Sequence, residues 1–283
     1  MSHTVSLYHI KSLRFSLSRG KSFIIFYRSK LIGVRFPAQR AARSDTKVPS
    51  VVYYDKSGAL RAAGAEVLAQ DIVEAALSEG WTRAEWLVSI RYSWDSYLSV
   101  KSRWKLHLCP GRLTTDMIND IPPLPFGKSS VDVLTDFIKY LFECCKSYIQ
   151  ECHPRLTWAS VEDSIEYILT YPSGWDGQIY RRAIERAGLV PSTSEGQRRV
   201  RMLTEGEAGL QSCVSQLFNA EKYRQVAPQG VVIVNAGGGI IDLSMFSMTK
   251  ASSNSMYCKE IAPAECTQLF PTAYLPLIRP YLI

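Results

Sequence analysis

The 283-residue sequence has no stretch that approaches the roughly 18 to 20 consecutive apolar residues of a membrane-spanning helix. Charged residues or prolines interrupt its longest apolar segments, so we expect no membrane span. It contains only four histidines, and none stands in the context of a nucleophile elbow, which argues against a Ser-His-Asp hydrolase. Its seven cysteines are irregularly spaced, which favours a reduced compartment over a disulfide framework.

Acidic residues are absent from the first 44 positions, which hold nine of the 33 Lys and Arg residues. These nine account for the formal net charge of +7, because 24 basic residues stand against 26 acidic ones from Asp45 onward. The body of the protein is therefore nearly neutral. It lacks the excess of positive charge that binding to DNA or RNA requires, and we expect no nucleic-acid partner.

The segment 1–46 is rich in Ser, Arg and Lys and carries short apolar clusters. This composition is typical of a mitochondrial transit peptide. The alternative is a non-native or wrongly delimited N-terminus that adds no function. The first interpretation places the protein in mitochondria, whereas the second leaves the cytoplasm as the expected compartment.

One group of side chains has the residue types of a metal site, namely Cys144, Cys145, Cys152 and His153. These residues lie on a predicted helix and its end, without the ligand spacing of a zinc site. Burial of the cysteines as small apolar side chains is the more typical role.

Strand and helix patterns alternate along the rest of the chain. VPSVVYY and ALRAAG predict a β-hairpin around a turn at 55–58, and residues 64–79 predict a helix that Gly80 ends. Ser129 and Asp132 resemble a capping box at the start of a long helix. Strand patterns in IEYILTYP and RRVRMLTE are each followed by helical ones, which predicts an α/β architecture around a central sheet.

The most informative segment is VVIVNAGGGIIDLSMFSM, which predicts two strands joined by a glycine turn. Gly237, Gly238 and Gly239 have no Cβ, so their backbone N–H groups can approach and cradle a phosphate. No GK[ST] follows and no helix is predicted there, which excludes a Walker loop and a dinucleotide fingerprint. A tight structural turn would need similar residues, so the motif alone leaves both interpretations open.

Three segments together resemble the actin-like ATPase domain of the heat-shock protein 70 superfamily. The glycine hairpin resembles its second phosphate motif, D-x-G-G-G-T-x-D. LTYPSGWDGQIYRRAIERAGLV resembles its strand-proline-helix segment, and LTEGEAGLQSCV resembles its first connecting motif. KVPSVVYYDKSGALRAAGAE and WKLHL are similar to the divergent fungal group related to heat-shock protein 12A. The resemblance covers residues 47–263.

The resemblance implies ATP and Mg²⁺ as ligands. It implies catalytic positions at Glu205, Asn235, Asp242 and Lys105, phosphate-binding positions at Gly237, Gly238, Gly239 and Ile240, and an interdomain switch at Pro172. Of these residues, Glu205 and Asp242 are the implied metal-associated carboxylates, acting through water.

The sequence departs from the family pattern at several of these positions. The first phosphate hairpin, D-x-G-T, is missing before VPSVVYY, where the chain reads LIGVRFPAQRAARSDT. Asn235 stands where the family has Asp, which exchanges a charged oxygen ligand for a neutral amide. Ile240 replaces a threonine and Gly206 replaces a proline. The second lobe, which supplies the adenosine pocket, is largely missing, so we expect hydrolysis to be absent or severely impaired.

We therefore expect an α/β protein with the ribonuclease-H-like actin/heat-shock ATPase fold, mainly its first lobe. Its expected parts are a basic N-terminal segment at 1–46, lobe one at 47–263 and a divergent tail at 264–283. The expected function is that of a heat-shock-protein-70-like ATP-binding protein with impaired hydrolysis and unknown protein partners. The alternatives are a non-catalytic scaffold on the same fold and an incomplete gene product.

Overall fold

A computed structural model describes residues 12–18, 21–28, 30–33, 48–85, 108, 123–152, 154–155, 157–217, 230–236, 240–252 and 255–268. The chain divides into two compact units. The first unit comprises Met1–Tyr171 and Trp175–Thr204, and the second comprises Pro172–Gly174 and Glu205–Ile283. No helix within the described ranges combines the length and the apolar character that a bilayer crossing requires.

The first unit contains nine described strands and four described α-helices. The strands are β1 Ser12–Ser18, β2 Lys21–Arg28, β3 Lys30–Gly33, β4 Val48–Pro49, β5 Val51–Tyr54, β6 Leu60–Ala63, β7 Thr82–Glu85, β8 Glu166–Tyr171 and β9 Val200–Thr204. The helices are α1 Gln70–Glu79, α2 Ser130–Cys152, α3 Gly177–Arg186 and α4 Ser194–Arg198. Short 3₁₀ turns lie at Gly64–Leu68, Trp158–Ser160 and Glu162–Ser164.

The larger sheet of this unit has the strand order β3-β2-β1-β8-β9, with β4 beside β2. Neighbouring strands from β1 to β3 are antiparallel, whereas β8 is parallel to both β1 and β9. The chain passes from β8 to β9 through α3 and α4, as a parallel pair requires. A second sheet has the order β6-β5-β7. The mixed α/β architecture expected from the sequence is confirmed.

Helix α2 begins as its sequence predicts. The Asp132 carboxylate accepts a hydrogen bond from the backbone N–H of Ser129 at 2.8 Å, and the Ser129 Oγ accepts one from the Asp132 N–H at 3.2 Å. This reciprocal pairing is a capping box. The apolar stripe of the helix is buried throughout, at Leu134, Phe137, Ile138, Leu141, Phe142, Cys145 and Ile149. Burial of Cys144 and Cys145 agrees with their expected role as small apolar side chains.

Strands β1 to β3 are the main feature that composition did not reveal. They lie inside the segment 1–46, which the basic composition marked as atypical. Its stretch FIIFY, at 23–27, is made of aromatic and β-branched residues, which favour strands. Strands β1 and β2 pair with each other as antiparallel neighbours. Residues 19–20, which connect these strands, lie outside the described ranges.

The second unit contains helix α5, Glu205–Leu217, and strands β10 Val231–Ala236, β11 Ile240–Ser252 and β12 Ser255–Gln268. The strands form an antiparallel sheet in the order β10-β11-β12. The two strands predicted around the glycine turn are thus confirmed. Leu210 of α5 packs against Phe246 of β11, with Val231 and Ile233 of β10 beside them.

Candidate functional site

The pairing of β10 with β11 places polar residues on one face of the sheet. Asn235 pairs with Asp242, and Ile233 pairs with Ser244. Successive side chains of a strand point to opposite faces, so Asn235, Asp242 and Ser244 share the face that packs against α5. On the other face Val232 and Val234 are 53% and 60% exposed.

Helix α5 brings a second carboxylate to this polar face. Glu205 is the first residue of the helix and follows directly after β9. The Asn235 Nδ2 donates a hydrogen bond to the Glu205 Oε2 at 2.8 Å. Because Asn235 lies across from Asp242 in the strand register, the helix start and both strands of the hairpin contribute to one polar cluster. We call Glu205, Asn235 and Asp242 the acid–amide cluster.

Asp242 is a deeply buried member of the acid–amide cluster. The residue is only 2% exposed, and its Oδ1 has no hydrogen-bond partner within the described parts of the chain. A buried carboxylate oxygen without a donor is costly, and such atoms in folded proteins are usually paired with protein groups, water or ions. The Asp242 Oδ1 therefore marks a position that a cation or its bound water would satisfy.

The donor set fits Mg²⁺ better than a metal enclosed by protein. Within the described ranges, no group of three or more His, Cys, Asp or Glu side chains lies close enough to hold a metal ion. Mg²⁺ is commonly bound by one or two carboxylates together with waters and phosphate oxygens. The two carboxylates of the acid–amide cluster, Glu205 and Asp242, suit that mode of binding.

The structure brings together three of the nine site residues that the resemblance implied, namely Glu205, Asn235 and Asp242. Pro172 lies just beyond β8 and is buried. Ile240 is the first residue of β11, and its side chain lies outside the described part of the structure. Gly237, Gly238, Gly239 and Lys105 also lie outside it. Their phosphate-binding and catalytic roles stay predictions.

Sequence reasoning missed a pair of buried serines beside this cluster. Ser173 and Ser244 are 0% and 1% exposed, and their Oγ atoms lie 3.2 Å apart, within hydrogen-bond distance. Asp242 and Ser244 are two positions apart in the sequence, and this spacing is the signal that could have placed them on one face of a strand. Nothing in the sequence linked them to Ser173, which lies 71 positions before Ser244.

Comparison with solved structures finds a crystal structure of MreB 5 of Spiroplasma citri bound to AMPPNP. The two proteins are 13% identical, with a TM-score of 0.33, and the match covers 88% of this chain. The chain spans about half of that protein, 51% of its length. At this identity and TM-score the likeness carries no argument about fold or function. No family model matches the sequence, and no curated protein matches it.

Proposed function

We propose that this chain is an ATP-binding protein of the actin-like ATPase superfamily, related to the heat-shock protein 70 group, and that its hydrolysis is impaired. The observation that carries the proposal is the buried Oδ1 of Asp242, which has no partner within the described ranges. Asp242 lies three residues beyond the glycine-rich connection. A carboxylate at this place is suited to hold Mg²⁺ or one of its waters beside a bound phosphate.

In this proposal each residue of the site has one task. The backbone of Gly237, Gly238 and Gly239 cradles the phosphates, because no Cβ holds an anion away. Asp242 and Glu205 would hold the magnesium ion through its waters. When bound, Mg²⁺ would neutralise negative charge on the phosphates.

Two features account for the impaired hydrolysis, namely the hydrogen bond that Asn235 makes and the lack of the D-x-G-T motif. The Asn235 amide donates to the Glu205 Oε2, so this oxygen is already engaged and is less able to orient an attacking water. The D-x-G-T residues of the first phosphate hairpin are also missing from the sequence. Phosphoryl transfer depends on positioning and charge stabilisation, and both are reduced here.

The second candidate function is a non-catalytic scaffold that binds no nucleotide. The hydrogen bond from Asn235 to Glu205 is the observation that favours it, because a neutral donor supplies there what a cation would otherwise provide. The scaffold would bind protein partners, and its affinity for them would not change when Mg-ATP is added.

Calorimetric titration with Mg-ATP, paired with phosphate-release measurements, tests the proposal. The wild-type protein is expected to bind Mg-ATP with slow or undetectable turnover, and Asp242→Asn is expected to lose binding. Glu207→Gln is the control for the loss of one carboxylate. Glu207 lies in the first turn of α5, as Glu205 does, but at an exposed position. Equal binding by the wild type and Asp242→Asn would refute the assignment of Asp242. Absence of binding by the wild type would favour the scaffold.

A further inference from the structure

Two buried hydroxyls connect segments that are distant in the sequence but belong to the second unit. Ser173 lies in Pro172–Gly174, and Ser244 lies in the middle of β11. Both are essentially inaccessible to water, so their mutual hydrogen bond replaces hydration that each hydroxyl has lost. This bond fixes Pro172–Gly174 against the polar face of the hairpin.

Gly206, the second residue of α5, lies directly against this serine pair. A Cβ built at Gly206 would lie 2.7 Å from the Ser244 Cβ, closer still to the Ser244 Oγ, and 3.2 Å from the Ser173 Oγ. Folded proteins do not show carbon–carbon contacts this short, because interiors are already closely packed. Any side chain at position 206 would therefore push the start of α5 away from β11.

The glycine serves this close approach and not an unusual backbone conformation. The backbone of Gly206 does not have a positive φ. Glycine within a helix costs about 0.5–1 kcal/mol relative to alanine, so the residue is unfavourable for the helix itself. The fit against Ser244 is a physical reason for glycine at this position.

The close contact lies next to both carboxylates of the acid–amide cluster. Gly206 is adjacent to Glu205 in α5, and Ser244 is two residues from Asp242 on the same face of β11. A shift between α5 and β11 at the glycine therefore changes the separation of Glu205 and Asp242. Carboxylates that share a ligand tolerate little displacement, since binding geometry is sensitive at the ångström scale.

We propose that Gly206, seated against the Ser173–Ser244 pair, is a positioning residue that sets the separation of Glu205 and Asp242 for binding of Mg²⁺ with a nucleotide phosphate. This inference rests on the proposed function, since it concerns the same site. Gly206 touches no ligand and acts through the packing of α5 on the hairpin.

A nearby glycine provides a matched control. Gly209 lies one turn further along α5, and a Cβ there would lie 3.1 Å from the Ile233 Cγ2. At that distance the Ile233 side chain needs to shift by only a few tenths of an ångström to accommodate the added Cβ. Gly206→Ala and Gly209→Ala thus make the same chemical change in one helix, but only the first enters the serine pair.

The experiment is calorimetric titration of Mg-ATP into the full chain and its variants. Gly206→Ala is expected to weaken binding by about tenfold or more, whereas Gly209→Ala stays within about threefold of the wild type. The double variant Gly206→Ala with Ser244→Gly removes the opposing Cβ and Oγ. It is expected to recover most of the lost affinity. A residue that only stabilises the fold would give no such rescue of affinity in variants that are equally folded.

The outcomes separate this inference from the proposed function. No binding by the wild type overturns both. Binding by the wild type that Gly206→Ala leaves unchanged, or that both alanine variants weaken equally, overturns this inference alone. If Gly206→Ala does not fold, recovery of folding and binding in the double variant supports the close fit, and a double variant that stays unfolded overturns it.

Discussion

Replacing Asp242 by asparagine should stabilise the second unit when no ligand is bound. Asp242 is 2% exposed, and its Oδ1 has no partner within the described residues. A buried polar atom left unsatisfied costs about 1–3 kcal/mol, and a charged one costs more. The Asp242→Asn side chain keeps nearly the same volume and still places a polar atom there, but it removes the additional cost of burying a negative charge. We expect the free energy of local opening to rise by about 1–3 kcal/mol.

The assay must report on the second unit, because all six tryptophans fall in residue ranges of the first. Tryptophan fluorescence therefore reports mainly on the first unit and serves as the internal control. Hydrogen exchange followed by mass spectrometry measures opening in peptides that cover α5 and the β10–β11 hairpin. The expected stabilisation corresponds to exchange slowed by about 5- to 150-fold in those peptides, with the first unit unchanged.

Faster exchange in Asp242→Asn would refute the reasoning. It would show that the carboxylate accepts hydrogen bonds that stabilise the ligand-free fold, and that its Oδ1 is not held open for a ligand. Glu207→Gln controls for the loss of one negative charge in the same region. As an exposed substitution it should change the opening free energy by no more than about 0.5 kcal/mol.

Three further predictions concern the first unit. The Tyr54 hydroxyl donates to the Asp136 Oδ2 at 2.9 Å, so Tyr54→Phe should cost about 1.5–3 kcal/mol in urea unfolding followed by tryptophan fluorescence. Burial raises the pKa of Asp132, but hydrogen bonds from Ser129 and a neighbouring guanidinium outweigh it and hold this pKa below its usual value. The associated stability is present at neutral pH and is lost as pH falls through the folded-state pKa. Ser129→Ala should cost about 1 kcal/mol at neutral pH and should make unfolding less sensitive to acid. Burial raises the pKa of the Cys144 thiol to about 11, so folding stability should fall as pH rises from about 9 to about 11, and iodoacetamide at pH 8 should alkylate the unfolded protein first.

Local patterns predicted the elements that depend on neighbouring residues. The capping box of Ser129 and Asp132, the buried stripe of α2 and the left-handed Gly80 that ends α1 each follow from a few consecutive positions. The strands around the glycine turn follow in the same way, because β10 and β11 are adjacent along the chain.

Long-range pairings were beyond the reach of those patterns. Strand β1 pairs with β8, although about 150 residues separate Ser12 from Glu166. No periodicity within β1 indicates its partner, and the basic composition around it pointed to a targeting segment instead. The site shows the same division. The alternation of side chains along a strand is enough to put Asp242 and Ser244 on one face, whereas the contact of Ser173 with Ser244 depends on the fold of the whole unit.

At two positions where the sequence differs from the heat-shock protein 70 motifs that it resembles, the neighbouring residues fit the residue that is present. Asn235, which stands in place of an acid, donates to the carboxylate of Glu205 at 2.8 Å. Gly206, which stands in place of a proline, faces a serine pair that leaves no space for a side chain. Both departures are therefore compatible with close packing at the start of α5, and titration with Mg-ATP decides between a nucleotide held without efficient hydrolysis and a scaffold.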